Sequence, residues 1–313
     1  MKTLRSSKIN RILIRVIGSL LGLASLLSVQ PVAAKKAFLS SRDDGSPALM
    51  STPQAISMGQ AVRGIARGNN ALIYNPAGMS ATSQYAIDLQ YFRSSKKENI
   101  FGINIVDSQT RFAKDQLALG LAYQQFVNDG VQGYEARLGF SLPVISGQLI
   151  KPLIGMSGRY TCDELTEQEG FDIDAGFMLL IADFFSAGFV GEGLLSEDDF
   201  TRLGVGGGLT HRVFSVGVDW VYNPVFDFDV LSGGAEVFLG QFVLRGGYEQ
   251  LGYNYKNDEY QNDSWVSGGM AIVDVTSSQG RLNIGYRRSL ESGAYLFGIS
   301  FSMFVVMPAS MGF

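Results

Sequence analysis

Residues 55–79 read AISMGQAVRGIARGNNALIYNPAGM, and the rest of the chain is arranged around them. Small residues recur at close intervals here: Gly59, Ala61, Gly64, Ala66, Gly68 and Ala71. Such spacing lets a backbone lie close against whatever surrounds it. Arg63 and Arg67 stand four apart and would share one face of a helix. The stretch ends in Asn75-Pro76-Ala77-Gly78. Asn before Pro starts turns, Pro fixes the bend, and Gly adopts backbone angles that other residues avoid. Taken alone, these features fit a glycine-rich linker. What lies on either side decides the reading.

Upstream, the first 34 residues carry Lys2, Arg5, Lys8, Arg11 and Arg15 and no acid, followed by VIGSLLGLASLLSV and then Val32-Ala33-Ala34. A basic region, a short apolar run and a small-residue site describe a cleaved export signal over 1–34. Taking those five basic residues from 25 leaves 20 against 29 acidic residues, a formal charge of −9. A chain this acidic does not suit nucleic acid. Cys162 is the one cysteine, so no internal disulfide can form.

Downstream, the period changes to two from Gln84 onward. In Tyr85 to Phe92, Ile87, Leu89 and Tyr91 point one way and Asp88 and Gln90 the other. Near Gln116 to Phe126, Leu117, Leu119, Leu121 and Tyr123 oppose Ala118, Gly120, Ala122 and Gln124. Further strands are expected near 99–106, 134–141, 149–160, 171–181, 184–194, 202–210, 213–222, 230–239, 241–251, 264–273, 281–288 and 293–304, fourteen in all. Short turns are expected near Asp183, His211 and Gly240. Acidic connections around 162–169, 196–199 and 252–263 are expected outside, with longer inner turns at 107–114 and 274–280. Glycine (38), Phe (21) and Tyr (13) dominate the strands, and charged residues are only 17%. A soluble sandwich also alternates, but its loops are richer in Asn, Asp and Pro. The composition points instead to an all-β transmembrane antiparallel barrel of about 14 strands; inward Gly, Ala and Ser cannot fill so wide a lumen, which leaves the N-terminal segment to lie in it.

The central stretch resembles a known family. Met58, Gly59, Ala61, Gly64, Ala66, Asn70, Ala71, Tyr74, Asn75, Pro76, Ala77 and Gly78 look like the N-terminal hatch of the FadL family of outer-membrane transporters for long-chain fatty acids and other hydrophobic compounds. They are equally similar to the related PorV-like outer-membrane proteins. Ser232 to Val237 followed by Leu244 to Tyr248 resembles a hairpin of the PorV-like branch. Gly298, Phe301 and Met303, with terminal Phe313, approximate the signal read by the barrel-assembly machinery. The resemblance implies an outer-membrane location in a Gram-negative bacterium and a layout of export signal (1–34), lead-in and hatch (35–83), barrel (84–304) and tail (305–313). It implies uptake through an apolar pocket beside the hatch and out through a kink in the third strand. That strand here has Gly120 but no Pro or bulge. Pro152 either disturbs the wall or begins the fifth strand. The other branch implies a non-transporting structural or secretion-associated barrel.

No chemistry competes with these readings. His211 is the single histidine and falls at a turn; nucleophile activation ordinarily needs a placed base. Gly204 to Gly208 reads as close packing within a strand, and Glu197-Asp198-Asp199 as a solvated loop. No enzyme activity, cofactor or metal is expected. The partners expected are outer-membrane lipid, a fatty-acid-like or other hydrophobic ligand, and the assembly machinery. Alternation directs Asp88, Glu135, Asp172, Asp174, Asp219 and Glu249 inward, with Arg137, Arg245 and Arg287. Arg63 and Arg67 are expected to pair with the inward carboxylates.

Overall fold

A computed structural model describes residues 50–96, 98–109, 117–128, 131–145, 149–164, 168–195, 201–224, 228–254, 260–273 and 280–305. The export signal, most of the lead-in, the acidic loop 196–199, most of both long inner turns and the tail after Val305 lie outside these residues.

Fourteen strands form one closed sheet. They are β1 (Tyr85–Ser94), β2 (Asn99–Asp107), β3 (Ala118–Asn128), β4 (Val131–Pro143), β5 (Ile150–Asp163), β6 (Gln168–Ile181) and β7 (Phe185–Glu192), then β8 (Arg202–Thr210), β9 (Phe214–Asn223), β10 (Phe228–Leu239), β11 (Phe242–Asn254), β12 (Tyr260–Val273), β13 (Gly280–Ser289) and β14 (Tyr295–Val305). Each pairs antiparallel with its neighbours in sequence. β1 closes on β14 from Tyr85↔Val305 to Ser94↔Leu296. Closure leaves no sheet edge, which is what lets strands cross a membrane. No described helix is long and apolar enough to cross one.

The phase of each strand inverts that of a soluble protein. Leu138 is 67% exposed and Leu231 58%, while Glu135 beside Leu138's strand-mates is fully buried. Leu119, Leu121, Trp220, Tyr248 and Tyr286 all face outward. An apolar outside and a charged inside are stable only where hydrocarbon surrounds the barrel. The turns at Ala182-Asp183 (φ 53° each) and Gly240 (φ 64°) are as short as the sequence suggests. Pro152 is the third residue of β5. It sits opposite Leu179, the ladder runs on past it, and its carbonyl accepts from the Val144 amide at 2.8 Å.

The N-terminal segment occupies the lumen. Helix α1 (Pro53–Ser57) is capped by Thr52, whose Oγ1 accepts from the Ala55 amide at 3.1 Å, with Pro53 at its first position. Helix α2 (Asn69–Tyr74) follows, then a 3₁₀ turn over Pro76–Ala81 capped by Asn75. From Met50 to Ser80 nearly every residue is buried. Its apolar side chains, among them Met58, Val62, Leu72 and Met79, share one cluster with Val106, Ala118 and Ala122 of the wall.

Candidate functional site: the plugged lumen

The wall receives the segment on glycine. Gly285 meets Pro53, Gly269 meets Ser57, Gly234 and Gly247 meet the Met58 backbone, and Gly217 meets the Ala61 carbonyl. Gly206 meets Gly64, Gly188 meets the Arg63 carbonyl, Gly176 meets Asn75, and Gly155 meets Pro76 and Ala77. Gly139 and Gly120 lie against Leu72, and Gly120 also against Met79. Every strand from β3 to β13 thus places a glycine where a β-carbon would collide with the segment. The segment reciprocates at Gly59, in a left-handed conformation at φ 61°, where a β-carbon would stand 2.7 Å from the Tyr248 backbone nitrogen. Within the segment, Gly78 lies close against the Ala66 carbonyl.

Ion pairs fix the segment at Arg63. The Arg63 guanidinium donates to Glu192 at 3.0 and 3.1 Å, lies 3.8 Å from Asp219, and its backbone amide donates to Asp219 at 2.6 Å. Burial alone would lower the pKa of Arg63; Glu192 and Asp219 outweigh it, and the net shift is upward. Asn75 Nδ2 donates to the Arg63 carbonyl at 3.1 Å and to the Phe177 carbonyl at 3.2 Å, tying the NPAG turn to both the segment and β6. The Tyr74 hydroxyl bonds Gln60 and lies 2.8 Å from Ser51; burial pushes its pKa up to about 12.

Arg67 differs from expectation. Residues 58–65 form turns, so no helix aligns the two arginines. Among the described residues Arg67 has no ion pair, and its buried Nε has no hydrogen-bond partner. Burial lowers its pKa, with Asp183 opposing in part.

The other inward carboxylates find arginines of the wall. Arg137 bridges Glu135 (2.5 Å) and Asp174 (2.9 Å) and also donates to the Ile73 carbonyl at 3.2 Å. Arg159 pairs with Asp172 at 3.3 Å, and Arg287 with Glu249 at 3.1 Å. Asp88 accepts from Gln90 (2.9 Å) and Ser302 (2.7 Å). Asp219 alone of the six expected carboxylates meets a hatch arginine. The main partner, Glu192, was not singled out, although its place at the inward-facing end of β7 follows from the same alternation.

An apolar cup lies at the end of the barrel where β1 joins β2. Phe92, Ile100, Phe126 and Leu296 point inward there, and Ile56 of α1 packs with them. They stand opposite one another across the ladders: Phe92↔Ile100 and Ile100↔Phe126.

A Pseudomonas aeruginosa FadL homologue superimposes with a TM-score of 0.56 at 8% identity, covering 81% of this chain and 97% of that one. The chain has the FadL-type barrel fold. A TodX mutant, described as a monoaromatic hydrocarbon channel, matches at 0.55 and 11% identity, over 81% of this chain and 98% of that one. The CymD monoaromatic hydrocarbon channel matches at 0.51 and 11%, over 81% and 96%. No family model matches the sequence, and no curated protein does.

The third strand of this FadL-type barrel has no kink, as the absence of Pro or a bulge from its sequence suggests. β3 pairs without interruption with β2 from Leu119 to Val127 and with β4 from Ala118 to Asn128. Gly120 breaks no ladder; it makes room for Leu72 and Met79. His211 sits exposed in its turn between Phe184 and Phe214, and its Nδ1 accepts from the Val213 amide at 3.4 Å. Among the described residues no three His, Cys, Asp or Glu side chains group as metal ligands.

Proposed function

We propose that this chain is an outer-membrane channel of a Gram-negative bacterium for small hydrophobic compounds, closed by its N-terminal segment. The observation that carries the reading is the cluster of inward apolar side chains, Phe92, Ile100, Phe126 and Leu296, on which Ile56 of the N-terminal segment rests. Withdrawal of Ile56 would leave them as an apolar lining, and ligand sites combine such a lining with a few polar groups. The resemblance implies long-chain fatty acids among the compounds carried. The test is mass spectrometry of compounds that copurify with the barrel, beside a Phe126→Glu variant of equal folded yield. The wild type should retain a hydrophobic compound that the variant lacks; the same compounds in both would overturn the reading.

One observation favours the second, PorV-like reading. Unbroken ladders around β3 leave no sideways exit at the place the transport mechanism of the family uses. A barrel that assembles with other proteins needs no such exit. A wild-type barrel that purifies without any hydrophobic compound would favour this reading.

A further inference from the structure

Arginines of the wall mostly point inward. On the described strands only Arg93 of β1 and Arg288 of β13 face outward; their neighbours Phe92, Ser94, Arg287 and Ser289 are all buried within, which fixes the phase. Both stand at one rim, on either side of β14, with Arg93 opposite Phe297 and Arg288 opposite Tyr295. Two strand spacings separate them across the sheet, about 10 Å, and two residues along it, about 7 Å. Two arginine side chains can close that gap onto one headgroup. Exposed Lys96 stands in the turn from β1 to β2, and the Ser95 amide ties that turn to β14 by donating to the Tyr295 carbonyl at 3.0 Å.

The rim offers these guanidinium groups no protein anion. Among the described residues neither arginine has an ion pair. Arg93 donates only to Asn99 Oδ1, at 2.6 Å, and Arg288 is exposed. The carboxylates nearest in the chain are engaged elsewhere. Glu98 is buried and accepts from Ser94 Oγ at 3.0 Å. Asp263 accepts from Ser289 Oγ at 2.7 Å and Trp265 Nε1 at 2.9 Å, and Glu291 accepts from the Ser264 amide at 2.6 Å. The outward acids of the same rim, Glu169 and Asp229, lie on β6 and β10, farther round the barrel.

Below the two arginines the same strands are apolar. The Tyr286 and Tyr295 rings stack with centroids 6.1 Å apart, and Phe297 and Phe301 continue down β14. Tyr85 and Val305, the two ends of the barrel, are paired at the opposite rim. A chain that arrives from the periplasm leaves its ends there, so the arginines stand in the outward leaflet. Snorkelling alone would scatter basic residues around a rim. Here both fall within three adjacent strands of an acidic chain.

We propose that the outer rim of β13, β14 and β1 docks a lipid with an anionic phosphate headgroup. Arg93 and Arg288 grip the phosphate, which suits the forked donors of guanidinium. The acyl chains lie on Tyr295, Phe297 and Phe301. This inference goes beyond the channel reading and does not depend on what the lumen carries.

Native mass spectrometry of the full chain tests it, on protein released from detergent micelles that hold equal amounts of dioleoylphosphatidylglycerol and dioleoylphosphatidylcholine. The wild type should retain phosphatidylglycerol about tenfold more than phosphatidylcholine, the scale expected of two basic side chains at an anionic headgroup. Arg93→Gln and Arg288→Gln should each weaken that preference about fivefold. Arg212→Gln removes the same charge from an exposed residue of the turn between β8 and β9, at the opposite rim, and should leave the preference intact. Heat-modifiable mobility on electrophoresis selects folded protein in every case. Soluble glycerol phosphate, a head without chains, should not compete at the concentration of the lipid. No preference in the wild type, a preference that survives both rim variants or falls equally with Arg212→Gln, or competition by glycerol phosphate would overturn the inference.

Discussion

At the scale of single residues, Arg63 and Arg67 look alike in sequence and differ in role. Arg63 neutralises Glu192 and Asp219, both buried. Removing it leaves two carboxylates without their cation, which costs about 3–5 kcal/mol. Arg63→Ala should therefore loosen the N-terminal segment, read as faster cleavage between Met50 and Ser80 by added protease. Arg67→Ala removes a guanidinium with no ion pair, and its cleavage rate should match the wild type. Equal acceleration in both variants would show that Arg63 does not anchor the segment. Asn104 gives the opposite sign: Asn104→Leu should stabilise the barrel by about 1–3 kcal/mol, because it removes an unsatisfied buried amide. The measurement is the urea midpoint of unfolding in lipid. A lower midpoint would mean that the amide is satisfied after all. Sequence parity alone placed Asp88, Asp219 and Glu249 on the inner face. It could not tell which carboxylate meets which arginine, because that depends on the path of the segment across strands far away in the chain. Arg63 and Asp219 are 156 positions apart.

At the scale of the element, adjacent glycines on β10 separate two functions. Gly234 faces the lumen, where a β-carbon would meet the Met58 backbone, while Gly233 faces outward with nothing within 4 Å of a β-carbon. Gly234→Val should displace the segment and reduce the folded, heat-modifiable fraction on electrophoresis; Gly233→Val should leave it unchanged. The same loss in both would place the effect in the strand backbone, not in the lumen contact. Depth supplies a second test. Leu138→Arg, in the middle of the lipid face, should cost about 2–4 kcal/mol, while Val144→Arg, just past the end of β4, should cost about 0–1. Refolding yield into lipid vesicles measures both. Strand existence and phase were legible from the alternation of apolar and small or polar residues, and the ends fell within a few positions. The segment was harder. Its turns over residues 58–65 have no period of their own and take their shape from the glycines they rest on.

At the scale of the whole molecule, the wall cannot fill the lumen unaided. Fourteen strands enclose more space than inward Gly, Ala and Ser can occupy, and the segment from Met50 to Ser80 takes up the difference. Deleting Pro53 to Asn70 while keeping Tyr74 to Gly78 should turn a closed barrel into an ion-conducting pore. Single-channel recording of folded protein in a planar bilayer checks this; conductance equal to the wild type would mean that closure lies elsewhere. The closed sheet and its strand count could be read from the sequence, since each strand repeats the same pattern. The unbroken third strand was legible too, in the absence of Pro. The cup was not, because Phe92, Ile100, Phe126 and Leu296 come together only when β1 meets β14.

The glycine seats also set an order of events. The segment is made before any strand of the barrel, yet Pro53, Ser57 and Met58 rest on β13, β12 and β10–β11, which are made near the end. Contacts so distant in sequence form slowly. Once β1 has zipped to β14 the lumen is walled on all sides, and a segment left outside would have to thread in through the end. The sheet must therefore wrap around its own N-terminus before the seam shuts. A delay at that step would trap an empty, leaky barrel instead of an unfolded chain.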